Sequence, residues 1–222
     1  LRELGQVAHV PQVALTELVA NAWDAGASRV DLVLPTEIGG ILTVTDDGHG
    51  MTPEQFKKRW MTLRYTREKY QGFNVEFPTG RTARPLKAYG RNGIGRHGLL
   101  CFADEYEVKT WRDGILATFV VGTGAGSSPF VCRSETEEKH IGSGTRLQVQ
   151  VTRKLPDADE ILTVLSARFI HDPEFEVRVN GKLRPFTEID GRISEETLCL
   201  SAGRHAKVIV IDSTSQIGRA HV

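Results

Sequence analysis

"ALTELVANAWDAGAS", residues Ala14 to Ser28, decides how this chain is read. Leu15, Leu18, Val19 and Ala22 recur at spacings of three and four, which predicts a helix from Pro11 to Ala25 with one apolar stripe. Gly26 supplies its stop. Glu17, Asn21 and Asp24 stand opposite that stripe. At about 100° per residue they project within roughly 60° of one another. Taken alone, such a face is the wet side of a surface helix. It would also suit the floor of an active site, because a carboxylate can take a proton from water and an amide oxygen is a hard ligand suited to magnesium.

Outward from this helix, "SRVDLVLP" and "GILTVTDD" read as two strands joined by the turn-rich "TEIGG". Thr52, Pro53 and Glu54 give an N-cap, a first-turn proline and a first-turn acid, opening a helix to about Thr62. Residues 63–92 carry little periodicity and much Gly, Pro and Arg, too long for an ordinary connection, which predicts a functional loop or lid. Gly93 to Ala103 reads as a short helix beginning in glycines. "EYEVKTW", the turn "RDG" and "ILATFVV" form a hairpin signal, and "TRLQVQV" is a further strand. Asp157 to Ile170 reads as a helix with Leu162, Leu165 and Phe169 on one face, and "EFEVRVNG" as a strand ending in a turn. Helices falling between hairpin-forming strands predict an α+β two-layer domain rather than a doubly wound one.

Three more motifs matter. In "VTDDGHGMT", Asp46 ends an apolar strand while Gly48 and Gly50 let the backbone turn tightly or approach a ligand. A carboxylate fixed there can accept from an exocyclic amine such as that of adenine; a plain strand-to-helix turn is the alternative. In "YGRNGIGRHGLL", glycines precede an apolar helix, where backbone N–H groups form an anion cradle. The loop lacks the Gly-Lys-Ser/Thr ending of a Walker loop, and no strand directly precedes it as in a dinucleotide fingerprint. In "GSGTRLQV", Thr145 enters a strand after two glycines, which by itself is a turn.

Taken in order, "ExxxNxxDA", "DxGxGM", the glycine loop and "GSGT" resemble the ATP-binding (Bergerat) domain of the GHKL superfamily over about residues 10 to 180. The branch resembled holds gyrase B, the ninety-kilodalton heat-shock chaperone, MutL and the microrchidia (MORC) ATPases. The resemblance implies a two-layer α/β sandwich with helices on one face of a mixed, largely antiparallel sheet, and hydrolysis of Mg-ATP to ADP and phosphate. By the same resemblance Glu17 is the general base, Asn21 the Mg²⁺ ligand and Asp46 the adenine reader. Gly48 and Gly50 belong to the base site, Gly50 letting the base approach, and Met51 lines the pocket. Gly93, Ile94, Gly95, Arg96 and His97 form the phosphate cradle, mainly through backbone N–H groups. Thr145 is the hydroxyl supporting Asp46 and the adenine-bound water, and Asp24 supports helix and lid. Residues 63–92 become the ATP lid, where "LRYTREK" loosely resembles the Ser/Lys lid motif of some relatives at Thr66 and Lys69. The glycine spacing is more like that of the chaperone than that of MutL. The phosphate-sensing Lys or Arg of such ATPases comes from a second, transducer domain that is not recognisable here, so an incomplete site and slow turnover are implied, with nucleotide-driven dimerisation through regions outside this sequence.

Composition fits a globular domain: 222 residues, 40% hydrophobic and 25% charged. Net charge is zero, but the balance is uneven. From Lys57 to His97 there are eleven Lys and Arg (57, 58, 59, 64, 67, 69, 81, 84, 87, 91 and 96) against Glu68 and Glu76, so that stretch carries +9 and the remainder −9. Such a stretch is a solvated basic loop or faces a polyanion, a nucleotide or a nucleic acid. Two other functions therefore stay open: a histidine kinase catalytic domain, disfavoured by Asp24 where those kinases usually carry Lys, and a non-catalytic nucleotide sensor that binds DNA. A protein client is a further possible partner. Cys101, Cys132 and Cys199 match no metal spacing, which favours a reducing, cytoplasmic setting, and no apolar run is long enough to span a membrane. Residues 1–182 are expected to form the ATP-binding domain and 183–215 a linker or the start of a second domain. The start at Leu1 predicts a natural chain that begins upstream, and 216–222, "QIGRAHV", resemble a sequencing-adapter read-through outside the fold.

Overall fold

A computed structural model describes residues 9–62, 72, 74–81, 88, 95–124, 130–170, 172, 174–184, 192–199 and 205–211. The expected first helix is α1, Pro11–Asp24, with Pro11 in its first turn and Gly26 just beyond it at φ +66°. Its stripe residues Leu15, Leu18, Val19 and Ala22 are all buried. Strands β1 (Arg29–Val33) and β2 (Ile41–Asp46) follow as an antiparallel pair. The helix opened by Thr52 does form, with a full capping box between Thr52 and Gln55. It is only one α turn, α2 (Pro53–Gln55), before widening into a π turn, Phe56–Trp60. That widening buries Phe56 and Trp60, and the Phe56 ring stacks on Phe119 at 3.7 Å.

The glycine-led helix is a 3₁₀ segment, Gly95–Cys101. Strands β3 (Glu105–Arg112) and β4 (Ile115–Thr123) are joined by Asp113 and Gly114, both at positive φ, as a two-residue turn between twisted strands requires. Next come β5 (Phe130–Lys139), β6 (Gly144–Gln150), α3 (Ala158–Arg168, capped by Asp157), β7 (Glu176–Val179) and β8 (Lys182–Leu183). The eight strands make one sheet in the order β5-β4-β3-β6-β2-β1-β7-β8. Among the described residues only the β1–β7 pairing is parallel. The pattern of the middle strands is one-sided: Tyr106, Val108 and Thr110 of β3 and Thr145, Leu147 and Val149 of β6 are buried, while Arg146, Gln148 and Gln150 alternate outward. Helices α1 and α3 and the 3₁₀ segment pack together beside the sheet. This is the expected α+β two-layer architecture, a mixed and largely antiparallel sheet under helices.

Past Leu183, strands β9 (Arg192–Cys199) and β10 (His205–Ile211) pair antiparallel in a separate two-stranded sheet. Among the described residues no helix is long and apolar enough to cross a membrane.

Candidate active site

Helix α1 joins two halves of the site. At its middle it meets the 3₁₀ segment, where a Cβ on Gly95 would overlap the Glu17 carboxylate and one on Gly98 would sit 2.8 Å from the Ala14 carbonyl oxygen. At its end the Ala25 carbonyl accepts from the His49 N–H at 2.9 Å, and a Cβ on Gly48 would lie 2.8 Å from the Ala25 Cβ. The glycines of the second and third motifs are thus first of all close-approach residues. Replacing Gly98 with Ala should force the 3₁₀ segment off α1 and cost about 1–3 kcal/mol, read by urea unfolding of the variant beside the parent.

Glu17 is half-buried, and burial pushes its carboxyl above the usual range; the charge of Arg168 opposes this and that of Asp24 adds to it. One turn on, the Asn21 side chain is half-buried and its Nδ2 atom is buried without a hydrogen-bond partner. A buried amide atom left unpaired is costly unless something else meets it, and which amide atom points inward is interchangeable. An amide beside a carboxylate suits Mg²⁺, which takes few protein oxygens and completes its shell with phosphate and water. The residues present therefore fit that ion. Asp24, also on this face, is buried.

The two aspartates of "TDDG" divide their work. Asp47 accepts from the Ser28 N–H (2.8 Å), the Ser28 hydroxyl (2.6 Å), the Arg29 N–H (2.9 Å) and Arg81 Nη2 (2.9 Å). It holds the start of β1 and has no acceptor to spare for a ligand. Asp46 accepts from the Gly48 N–H at 2.9 Å through Oδ1. Burial pushes its carboxyl from 3.8 to about 7, partly offset by the Gly48 and Thr145 backbone N–H groups and reinforced by the Asp47 charge. Thr145 lies directly across from Asp46 in the β2–β6 register. Its influence on the carboxylate runs through its backbone.

Several of the expected residues are also held by the packing around them. Gly50, at φ +62°, is crowded by backbone: a Cβ would overlap the Trp111 carbonyl and lie 2.9 Å from that of Gly144. Its bareness serves packing on β3 and β6. Met51 is buried in the core, and its N–H donates to Thr110 Oγ1 at 2.8 Å. The His97 ring is not turned to a ligand. It stacks on Phe130 at 3.7 Å, its Nδ1 is 2.7 Å from the Tyr106 hydroxyl and its Nε2 is 3.1 Å from the Trp60 carbonyl. Burial first, then the Arg96 charge, pushes it down to about 3, so the ring is neutral and only its backbone is left for a phosphate. The Arg96 side chain is buried as well. Gly93, Ile94, Thr66 and Lys69 lie outside the described residues.

A strap from the basic stretch lies on the body. Val75 is buried and Phe77 packs on the core. A Cβ on Gly26 would come within 2.6 Å of the Glu76 carbonyl oxygen. The Glu76 carboxylate is 3.5 Å from Arg112 Nη1, 3.7 Å from Arg59 Nη1 and 3.8 Å from His49 Nε2. Arg81 donates to the Gly26 carbonyl at 2.7 Å as well as to Asp47. Within 63–92, then, residues 74–81 are anchored beside the base-side motif, a division that composition alone does not show. Gly26→Ala should unseat this strap, because a residue at positive φ is strained and its Cβ meets backbone. The expected loss is on the order of 2 kcal/mol in urea unfolding.

Residues 9–128 match the family described as histidine kinase-, DNA gyrase B-, and HSP90-like ATPase. A segment of 51 residues is 49% identical to the DNA mismatch repair protein MutL of Paramagnetospirillum magneticum, covering 23% of this chain and 8% of that protein. The MutL of Xylella fastidiosa is 43% identical over 51 residues, with the same shares. The chain thus matches less than a tenth of the length of these relatives. The crystal structure of the ATPase region of Saccharomyces cerevisiae topoisomerase II aligns with a TM-score of 0.50 at 20% identity, over 77% of this chain and 47% of that one, a likeness of fold. With more than half of its residues matched, the chain belongs to the family of histidine kinase-, DNA gyrase B- and HSP90-like ATPases.

Proposed function

We propose that this chain binds Mg-ATP across α1 and hydrolyses it to ADP and phosphate, with nucleotide state driving closure of the remaining lid and dimerisation. The observation that carries this is the placement of Glu17 beside Gly95 at one end of the helix face and of Asp46 beside the far end of the same helix. Eight residues of helix separate Glu17 from Ala25, roughly 12 Å at 1.5 Å per residue, long enough for a base at one end and phosphates at the other. Asp46, with Asp47 fully engaged, is the acceptor for the adenine amine. Asn21 would hold Mg²⁺, which when bound neutralises charge across the phosphates. The 3₁₀ segment offers backbone N–H groups to the phosphates, since its Arg96 and His97 side chains turn inward. Glu17 orients a water and takes its proton as the water oxygen bonds to the γ-phosphorus and the bond to the β–γ bridging oxygen breaks. A cation from another domain completes the charge stabilisation, so this chain alone turns over slowly. No disulfide joins Cys101, Cys132 or Cys199, and a reducing, cytoplasmic setting belongs to the same proposal.

Calorimetric titration with ATP and with GTP tests the reading. ATP should bind and GTP should bind poorly, because its carbonyl meets the Asp46 carboxylate; equal affinities would sink the base-reading assignment. The lid is tested by hydrogen exchange with a non-hydrolysable ATP analogue. Residues 74–81 should exchange slowly from the start, and new protection should fall in the rest of 63–92. Unchanged exchange there, with binding demonstrated, excludes a lid. Protection gained only with DNA would instead favour a nucleic-acid contact.

A further inference from the structure

We infer that Thr110, a residue of β3 that no motif includes, is the positioning residue of the base-reading loop. The inference rests on the adenine site proposed above. Thr110 is fully buried, so its side chain is shut off from solvent. Its hydroxyl makes two bonds whose directions are fixed: Oγ1 accepts from the Met51 N–H at 2.8 Å and gives its one proton to the Gly144 carbonyl at 3.3 Å. Met51 closes the loop that begins at Asp46, and Gly144 closes the turn that delivers Thr145. The strand registers make this a single row. Asp46 faces Thr145 across β2–β6, and Thr145 faces Thr110 across β6–β3. One hydroxyl thus ties the end of the Asp46 loop to the strand turn that flanks the Asp46 carboxylate. Gly50 presses on the same junction, since a Cβ there would overlap the Trp111 carbonyl and crowd that of Gly144.

Removing the hydroxyl while keeping the volume takes from the Met51 N–H this acceptor and from the Gly144 carbonyl this donor, inside the protein, and groups that lose a partner move toward whatever solvates them. The loop and the turn then lose their common register, and the acceptor is no longer held where the base needs it. The phosphate half of the site hangs on Glu17, Asn21 and the 3₁₀ segment, none of which touches Thr110 through these bonds. A base-positioning role therefore predicts a split that a general packing role does not.

The experiment measures Kd for Mg-ATP and for magnesium tripolyphosphate, which has the phosphates and no base, on the parent, Thr110→Val and Thr110→Ser. Thr110→Val should weaken ATP about tenfold or more and leave tripolyphosphate within twofold, while Thr110→Ser, which keeps the hydroxyl, should bind both like the parent. Equal losses for both ligands would overturn the inference, as would parental ATP affinity in Thr110→Val or a loss in Thr110→Ser as large as that in Thr110→Val. Thr110→Ala serves the same comparison if the valine variant does not fold. A parent that binds tripolyphosphate but not ATP overturns the adenine reading itself, and this inference with it; a parent that binds ATP with an indifferent Thr110→Val overturns this inference alone.

Discussion

Glu17→Ala should retain Mg-ATP binding and lose turnover by roughly 100-fold or more. The general base acts on the water and not on the ground-state nucleotide, so its loss falls on kcat. The carboxyl is suited to the task because it is half-buried and held above its ordinary range by that burial, which strengthens it as a base when ionised. The conservative variant Glu17→Gln should behave similarly, since an amide can still align water but cannot take its proton. Asn21→Ala should show the opposite pattern. It removes the amide that fits Mg²⁺, so binding of the magnesium complex weakens while metal-free nucleotide is affected less. Steady-state phosphate release, with binding measured in parallel by calorimetry, separates the two. If Glu17→Ala turns over ATP as fast as the parent, Glu17 is not the base. A parent rate that rises with protein concentration supports dimer closure as part of the cycle.

Local patterning made much of this site legible. The spacing of Leu15, Leu18, Val19 and Ala22 gave α1, and its polar face followed by rotation alone. The Asp-Gly step at 113–114 gave a hairpin turn and the Asn-Gly step at 180–181 a turn ending a strand, through the positive φ that such residues tolerate. What stayed hidden is non-local or lacks alternation. Strand β5 is exposed from Arg133 to Lys139 and carries no inward apolar face, so nothing in "RSETEEK" marks a strand; the β4 ladder makes it one. The parallel β1–β7 pairing joins segments nearly 150 residues apart, which no window on the sequence can register. The inward turn of His97 has the same origin, because its partners Trp60, Tyr106 and Phe130 arrive from three separate segments. Thr110 looked like any strand threonine until Met51 and Gly144 were placed around it. Each glycine of these motifs answers a different neighbour: Gly95 yields to Glu17, Gly98 to Ala14 and Gly50 to Trp111.

Asp46→Asn should abolish ATP binding and at the same time make the ligand-free protein more stable at neutral and higher pH. The sign follows from the raised carboxyl. In the folded chain Asp46 titrates at about 7 against an ordinary 3.8, chiefly through burial. A raised carboxyl favours folding fully below the unfolded value, and that contribution is lost as pH rises through the folded one. Above about pH 7 the folded protein therefore holds a charge it would shed, at a cost on the order of a few kcal/mol. The asparagine variant never carries that charge. Its advantage in urea unfolding should grow from about pH 4 to pH 7 and then level off. ATP works in the other direction. Its amine needs the ionised acceptor, so parental affinity should rise with pH up to about 7, by at most about tenfold per pH unit, and flatten above. Tripolyphosphate titrated alongside removes the contribution of the phosphates' own protonation. An ATP affinity that survives Asp46→Asn, or a pH dependence identical to that of tripolyphosphate, would take the base-reading role from Asp46. A variant both more stable and unable to bind would show why the half-buried acid is kept: the strain of holding it charged is released only when a donor amine arrives.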